Sequence, residues 1–107
     1  MKTVYIPEAP ARAEIDTMPG ATLLEFGANW CGHCMAAQAP LAQAMAGHDG
    51  VAHYKVEDGP GRALGRSYRV KLWPTLVFLR DGQEVARVVR PLEASAIAAG
   101  LMQIDQR

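Results

Sequence analysis

The apolar positions along the chain fall into short strand-like runs separated by stretches of helical character. Ala21-Thr22-Leu23-Leu24-Glu25-Phe26 is nearly continuous apolar sequence with one acid, the pattern of a central strand covered on both faces. Val51 to Glu57 alternates as a strand does. Thr75 to Leu79 and Glu84 to Val89 flank Asp81-Gly82, a dipeptide that tolerates positive φ and so predicts a hairpin. From Cys31 to about Gly47 the chain is rich in Ala, Met, Gln and Leu, with Met35, Ala39, Ala42 and Met45 near one helical face. Pro40 lacks an N–H and clashes with the carbonyl four residues earlier, which predicts a kink between Ala36 and Pro40; Gly47 to Gly50 ends the helix. Past Pro91, Ile97, Ala98, Leu101 and Ile104 share a face of a terminal amphipathic helix, in which Gly100 is expected to cost about 1 kcal/mol relative to Ala. Weaker patterns suggest an edge strand from Lys2 to Ile6, a helix from Glu8 to Met18 stopped by Pro19-Gly20, and a short helix from Arg62 to Tyr68.

The resulting order, β-α-β-α-β-α-β-β-α, has crossovers first and a hairpin last. It predicts an α/β fold with a central mixed β-sheet flanked by helices on both faces. With 107 residues, 50% of them hydrophobic, there is material for one core and not for two, so residues 1–107 are expected to be a single domain.

Charge and hydropathy narrow the functional classes. Eleven basic residues balance eleven acidic ones, so the electrostatic footprint of a nucleic-acid binder is missing. No apolar run approaches the roughly 18 residues needed to span a bilayer. Met1 to Pro7 carries one positive charge and breaks before a signal-peptide core forms, so a cytoplasmic protein with no membrane attachment is expected.

Candidate chemistry centres on the only two cysteines, Cys31 and Cys34. A bridge across so small a loop restrains little unfolded-chain entropy, which favours a chemical over a structural role. A strand running into a helix through Cys-x-x-Cys places the first cysteine at the helix N-terminus, where unpaired N–H groups and the macrodipole favour negative charge. Cys31 is thus the expected thiolate, the attacking species in disulfide exchange, and Cys34, one turn on, can attack the mixed disulfide that results. Half a zinc site is the competing reading. Zinc usually requires four ligands, however, and only His33, His48 and His53 remain, scattered and without a second paired motif.

Phe26-Gly27-Ala28-Asn29-Trp30-Cys31-Gly32-His33-Cys34, followed by Pro40 and by Trp73-Pro74-Thr75, resembles the thioredoxin family over nearly the whole chain. The resemblance implies a thioredoxin fold and thiol–disulfide exchange with protein dithiol or disulfide substrates, with no cofactor beyond the Cys31–Cys34 pair. It also implies recharging by a donor of the thioredoxin-reductase type; a monomer is expected. The proline matching Pro74 takes the cis form and faces the disulfide in that family, the aromatic matching Trp30 shelters it, and the second cysteine is the more buried.

Several residues modify this pattern. Glu25 matches the family's buried carboxylate, usually Asp, that helps move the proton of the second cysteine; burial is expected to raise its pKa toward the thiol range. An acid at a frayed or wet strand edge is the bland alternative. His33 replaces the proline of reducing thioredoxins, and Cys-Gly-His-Cys resembles the active sites of protein disulfide isomerases. A histidine there can stabilise the thiolate and make the disulfide a stronger oxidant, unless it is merely an exposed spacer. His53 aligns by resemblance with a lysine that neighbours the buried acid, although an ordinary strand histidine is equally compatible. His48 suits a helix C-terminus. Trp73 stands where the family carries a smaller aliphatic residue, so its backbone is expected to receive an extended substrate while its ring narrows the groove or packs in the core. Arg90 falls where thioredoxins have a glycine that lets substrate approach, which predicts a narrower partner range favouring acidic segments. Met35 replaces a common basic residue and makes the rim more apolar. The alternative to an oxidoreductase is a binding module of the same fold that makes little use of its cysteines.

Overall fold

The computed structural model describes residues 3–105. Its elements are α1 (Arg12–Asp16), β1 (Ala21–Gly27), α2 (Gly32–Ala36), α3 (Gln38–Met45), β2 (Ala52–Glu57), α4 (Ala63–Ser67), β3 (Thr75–Arg80), β4 (Gln83–Val89) and α5 (Ala94–Ile104). The strands form one mixed sheet in the order β2-β1-β3-β4, with β1 parallel to β2 and antiparallel to β3, and β3 antiparallel to β4.

Every residue of β1 is buried, as its apolar run predicts, and successive side chains enter opposite cores. On one face, Leu23 joins Leu41, Leu76, Phe78, Ile97, Leu101 and Ile104 under α3 and α5. On the other, Leu24 and Phe26 join Ile15, Val56, Leu64, Tyr68, Val77 and Leu79 under α1 and α4. The β3–β4 hairpin turns through Asp81 and Gly82 at φ of 52° and 80°, the positive pair that a two-residue hairpin of this hand requires. No helix among the described residues is long and apolar enough to cross a membrane.

Three expectations need correction, and the kink is met. Lys2 lies outside the described residues, and the rest of the proposed N-terminal strand reduces to one parallel bridge between Ile6 and Val56, because Pro7 follows with no N–H to extend the ladder. The helix read over Glu8 to Met18 is only Arg12–Asp16, since Pro10 disfavours helical geometry in the residue before it. The long helix breaks at Ala37 into α2 and α3, within the span where Pro40 predicts a kink. Its buried face, though, is Cys34, Ala37, Leu41 and Ala44; Met35, Ala39 and Ala42 face solvent, and Met45 is half-buried. Alanines surround this helix, so periodicity alone does not choose among its faces.

The β-strand order places the chemistry. Antiparallel pairing of Phe26 with Thr75 sets the segment before β3 beside the loop that leaves β1, and pairing of Thr75 with Val89 brings Arg90 alongside. Trp73, Pro74 and Arg90 therefore converge on the cysteines although they are distant in sequence.

Candidate active site

Cys31 caps α2 from an extended conformation (φ −82°, ψ 119°), and its Sγ accepts a hydrogen bond from the Cys34 amide at 3.2 Å. The Cys31 amide in turn donates to the Ala28 carbonyl at 3.2 Å, tying the loop to the end of β1. Both cysteines are free thiols, 7% and 1% exposed respectively, so the second is the more buried. Burial, reinforced by the hydrogen bond with Cys31, pushes the Cys34 thiol up to about 11. That thiol must therefore be helped to ionise before it can attack anything.

Behind the cysteines lies a closed polar cluster centred on Glu25, which is fully buried. Glu25 Oε2 accepts from Tyr5 Oη at 2.5 Å, Lys55 Nζ at 2.7 Å and Gln38 Nε2 at 3.0 Å, while Oε1 lies 2.9 Å from His53 Nε2. Lys55 Nζ also donates to Gln38 Oε1 at 3.0 Å and sits 3.9 Å from the centroid of the Tyr5 ring. Parallel pairing of β1 with β2 places Lys55 directly opposite Glu25. Lys55 thus fills the position across from the acid, the one expected for His53; His53, one pleat earlier on the same face, still reaches the second carboxylate oxygen.

This surrounding reverses the expectation for Glu25. Burial alone drives its carboxyl upward, but the His53 hydrogen bond, the Lys55 charge and the Lys55 and Tyr5 hydrogen bonds outweigh burial and hold it at about 2. The acid is thus present and buried as expected, but it is held ionised.

The rim is aromatic. Trp30 is 77% exposed and meets Trp73 edge-on at a centroid separation of 5.6 Å, so it overhangs the site more than it seals it. Trp73 is half-buried against Ala28, Cys31 and Cys34, and its Nε1 donates to Asp58 Oδ2 at 2.8 Å, which fixes the ring. The Trp73–Pro74 bond is cis, and Pro74 is buried. Arg90 is exposed, stands at φ 51°, and turns its side chain back so that Nε donates to the Trp73 carbonyl at 2.8 Å. Met35 and Leu72 are exposed beside this rim, the first as expected. His33 is exposed on the first turn of α2 and its ring makes no hydrogen bond among the described residues, so it does not contact Cys31 Sγ by that route.

Tyr5, Gln38 and Lys55 are members of the site that sequence reasoning missed. A lysine in an otherwise alternating strand, on the parity of His53, is a readable signal for Lys55. Gln38 follows Cys34 by one helical turn and bonds its carbonyl at 2.8 Å. Tyr5 has no such signal, because it arrives through the Ile6–Val56 bridge and through Asn29, whose amide clamps the Tyr5 backbone from both sides at 2.8 and 3.1 Å. His48, by contrast, lies away from the cysteines and pairs with Asp105 at 2.6 Å. Among the described residues no group of three or more His, Cys, Asp or Glu side chains is arranged to hold a metal.

The Thioredoxin family model matches residues 4–103 of this chain. The chain belongs to the thioredoxin family. Its fold is similar to the solved structure of thioredoxin 2 from Pseudomonas aeruginosa PAO1 in its reduced form, at 59% identity and a TM-score of 0.84 over 96% of this chain and 99% of that one. It is 32% identical to a thioredoxin from Staphylococcus aureus over 83% of this chain and 85% of that protein. Thioredoxin H2-1 of Oryza sativa subsp. japonica is 38% identical over 63% of this chain, and the match spans about half (49%) of that relative's length.

Proposed function

We propose that this chain is a protein thiol–disulfide oxidoreductase that works through Cys31 and Cys34 without a bound cofactor. The observation that carries the reading is the Cys31 Sγ at the α2 cap, receiving the Cys34 amide at an apolar rim, with the second thiol buried one turn behind it. In the reducing direction the Cys31 thiolate attacks one substrate sulfur, the substrate S–S bond breaks, and a substrate thiolate leaves with the electron pair. Cys34 then gives up its proton and attacks Cys31 Sγ. The substrate sulfur bonded to Cys31 departs and takes up that proton, leaving the substrate reduced and the Cys31–Cys34 pair oxidised by two electrons. A reductase-type donor restores the dithiol.

Trp30, Trp73 and Pro74 are the surface on which an extended substrate lies. Arg90 narrows that surface, because its guanidinium already occupies the Trp73 carbonyl that a substrate N–H would use. Glu25 serves the second step by holding Lys55 and Tyr5 in place. His33 acts through its position on the first turn of α2, where positive charge favours a Cys31 thiolate and makes the disulfide more oxidising. Equilibration with glutathione checks the last point: His33→Pro is expected to lower the reduction potential by on the order of 30 mV, equivalent to about 1.4 kcal/mol for a two-electron couple. An unchanged potential removes that role.

Insulin-disulfide reduction tests the main reading. Cys31→Ser is expected to abolish activity, and Cys34→Ser to accumulate mixed disulfides with protein substrates in cells; equal activity of wild type and Cys31→Ser would leave a binding module instead. The same reading places the chain in the cytoplasm as a monomer, which localisation of a tagged chain and its size-exclusion profile check.

A further inference from the structure

The exchange reaction proposed above leaves open how Cys34, sealed from solvent and with its thiol pushed up to about 11, becomes a nucleophile at neutral pH. Glu25 lies behind the thiol, held by Lys55 at 2.7 Å and His53 at 2.9 Å. Between the two stands Tyr5. Gly27, the last residue of β1, has no side chain, and a Cβ built there would lie 2.6 Å from Cys34 Sγ, 2.7 Å from Tyr5 Cζ and 2.8 Å from Tyr5 Oη. The glycine is a gap in the strand through which phenol and thiol come together, and Tyr5 packs in one cluster with Cys31 and Cys34. The hydroxyl interacts with both neighbours, donating to Glu25 Oε2 and drawing the Cys34 thiol back down against burial.

We infer that the Tyr5 hydroxyl is a catalytic hydrogen-bond donor that turns from Glu25 to Cys34 Sγ when the second cysteine ionises. In the resting dithiol the O–H points at Glu25, where Lys55 and Gln38 share the load on the same oxygen. As Cys34 gives up its proton, negative charge gathers on its sulfur, and the O–H swings across the Gly27 gap to meet it before the thiolate attacks Cys31 Sγ. The Cys34 proton ends on the departing substrate thiol, so no other acid or oxidant is required. Glu25 loses one donor and keeps Lys55 at 2.7 Å and His53 at 2.9 Å, so its charge stays compensated during the switch.

Two features suit Tyr5 to this task. Burial, with the Glu25 charge beside it, pushes the phenol far above its ordinary range, so it stays a donor wherever the enzyme works. Its backbone is clamped by Asn29 and its ring lies under Lys55 Nζ, so only the hydroxyl hydrogen has to move. The titratable groups that face the Tyr5–Cys34 pair are Cys31 before α2, Glu25 on β1, and Lys55 and His53 on β2; each is the same in the two proteins compared in each measurement below.

This inference rests on the exchange reaction, and the test separates the two. Wild-type protein is charged at Cys31 with a chromophoric aryl thiol, and release of that thiol by Cys34 is followed against pH; release by wild type establishes the reaction itself. Tyr5→Phe keeps the ring, the packing and the contact with Lys55. It is expected to slow release about tenfold at pH 7 and to move the midpoint of the pH profile upward, with the deficit closing at high pH, while formation of the mixed disulfide by Cys31 stays within about twofold. A second measurement follows Cys34 directly, titrating its thiol in Cys31→Ser with and without Tyr5→Phe, where the midpoint is expected to rise. Release rates and midpoints that match wild type in Tyr5→Phe, or a Cys34 titration that does not rise, overturn the role assigned to Tyr5.

Discussion

Arg90 shows how one residue can be held in an unfavourable conformation without a large effect on stability. A non-glycine residue at φ 51° costs roughly 1–2 kcal/mol. The exposed hydrogen bond from its Nε to the Trp73 carbonyl returns about 0.5–1.5 kcal/mol. These nearly cancel, so Arg90→Gly is expected to leave the free energy of unfolding, read from a urea denaturation curve, within about 1 kcal/mol of wild type. Its effect should lie in recognition. With the Trp73 carbonyl freed and the positive lip removed, the preference for disulfides flanked by acidic residues over neutral ones is expected to fall by about two- to fivefold at low salt and to show little difference at high salt. A panel of peptide disulfides, assayed at two ionic strengths, checks this. At the same scale the cysteines were legible from type and spacing, and Glu25, Trp30 and Pro74 from the resemblance to the family. Tyr5 was not, because an aromatic in a segment with little periodicity carries no mark of the distant carboxylate it will meet.

Among the elements, α5 separates propensity from packing. Gly100 reads in the sequence as a helix weakness worth about 1 kcal/mol. In the structure it is buried, and a Cβ there would come within 2.6 Å of Cε2 and Cζ of Phe78, on the central sheet. Gly100→Ala is therefore expected to destabilise the protein by about 1–3 kcal/mol despite the better helix former, because overpacking against a fixed aromatic outweighs the propensity gain. Urea denaturation monitored by circular dichroism checks the sign: a stabilised variant would mean that the α5–sheet contact relaxes freely. The four strands of the sheet were read within a residue or so at each end because their runs end in turn residues. The face of α2 and α3 was misread because alanines surround the helix, and the residues it buries are Cys34, Ala37, Leu41 and Ala44.

For the whole molecule, the Glu25 cluster ties stability to pH. Its folded pKa of about 2 lies below the ordinary carboxylate value, so the cluster's contribution is fully present above about pH 5 and is lost as pH falls through the folded value. The difference corresponds to roughly 3 kcal/mol. Glu25→Gln is expected to flatten the stability profile between about pH 5 and 2 relative to wild type. At neutral pH the same variant should be destabilised by about 3–5 kcal/mol, since Lys55, 1% exposed, would lose its carboxylate partner. Denaturant titrations of both proteins across this range check the two signs together; parallel profiles would show that Glu25 has the same affinity for protons folded and unfolded.

The sequence by itself determined the class of fold, because the period of apolar residues switches between strand and helix and the Asp81-Gly82 turn admits one kind of connection. It also singled out the candidate reacting pair, because Cys-x-x-Cys at a strand-to-helix junction needs only local geometry to place one sulfur at a cap. Only the tertiary structure decided the charge state of Glu25 and what stands between it and Cys34. Those depend on strand register and on the docking of Tyr5 through a single bridge, and the energy of a buried carboxylate is set by whichever groups the fold brings within hydrogen-bond reach.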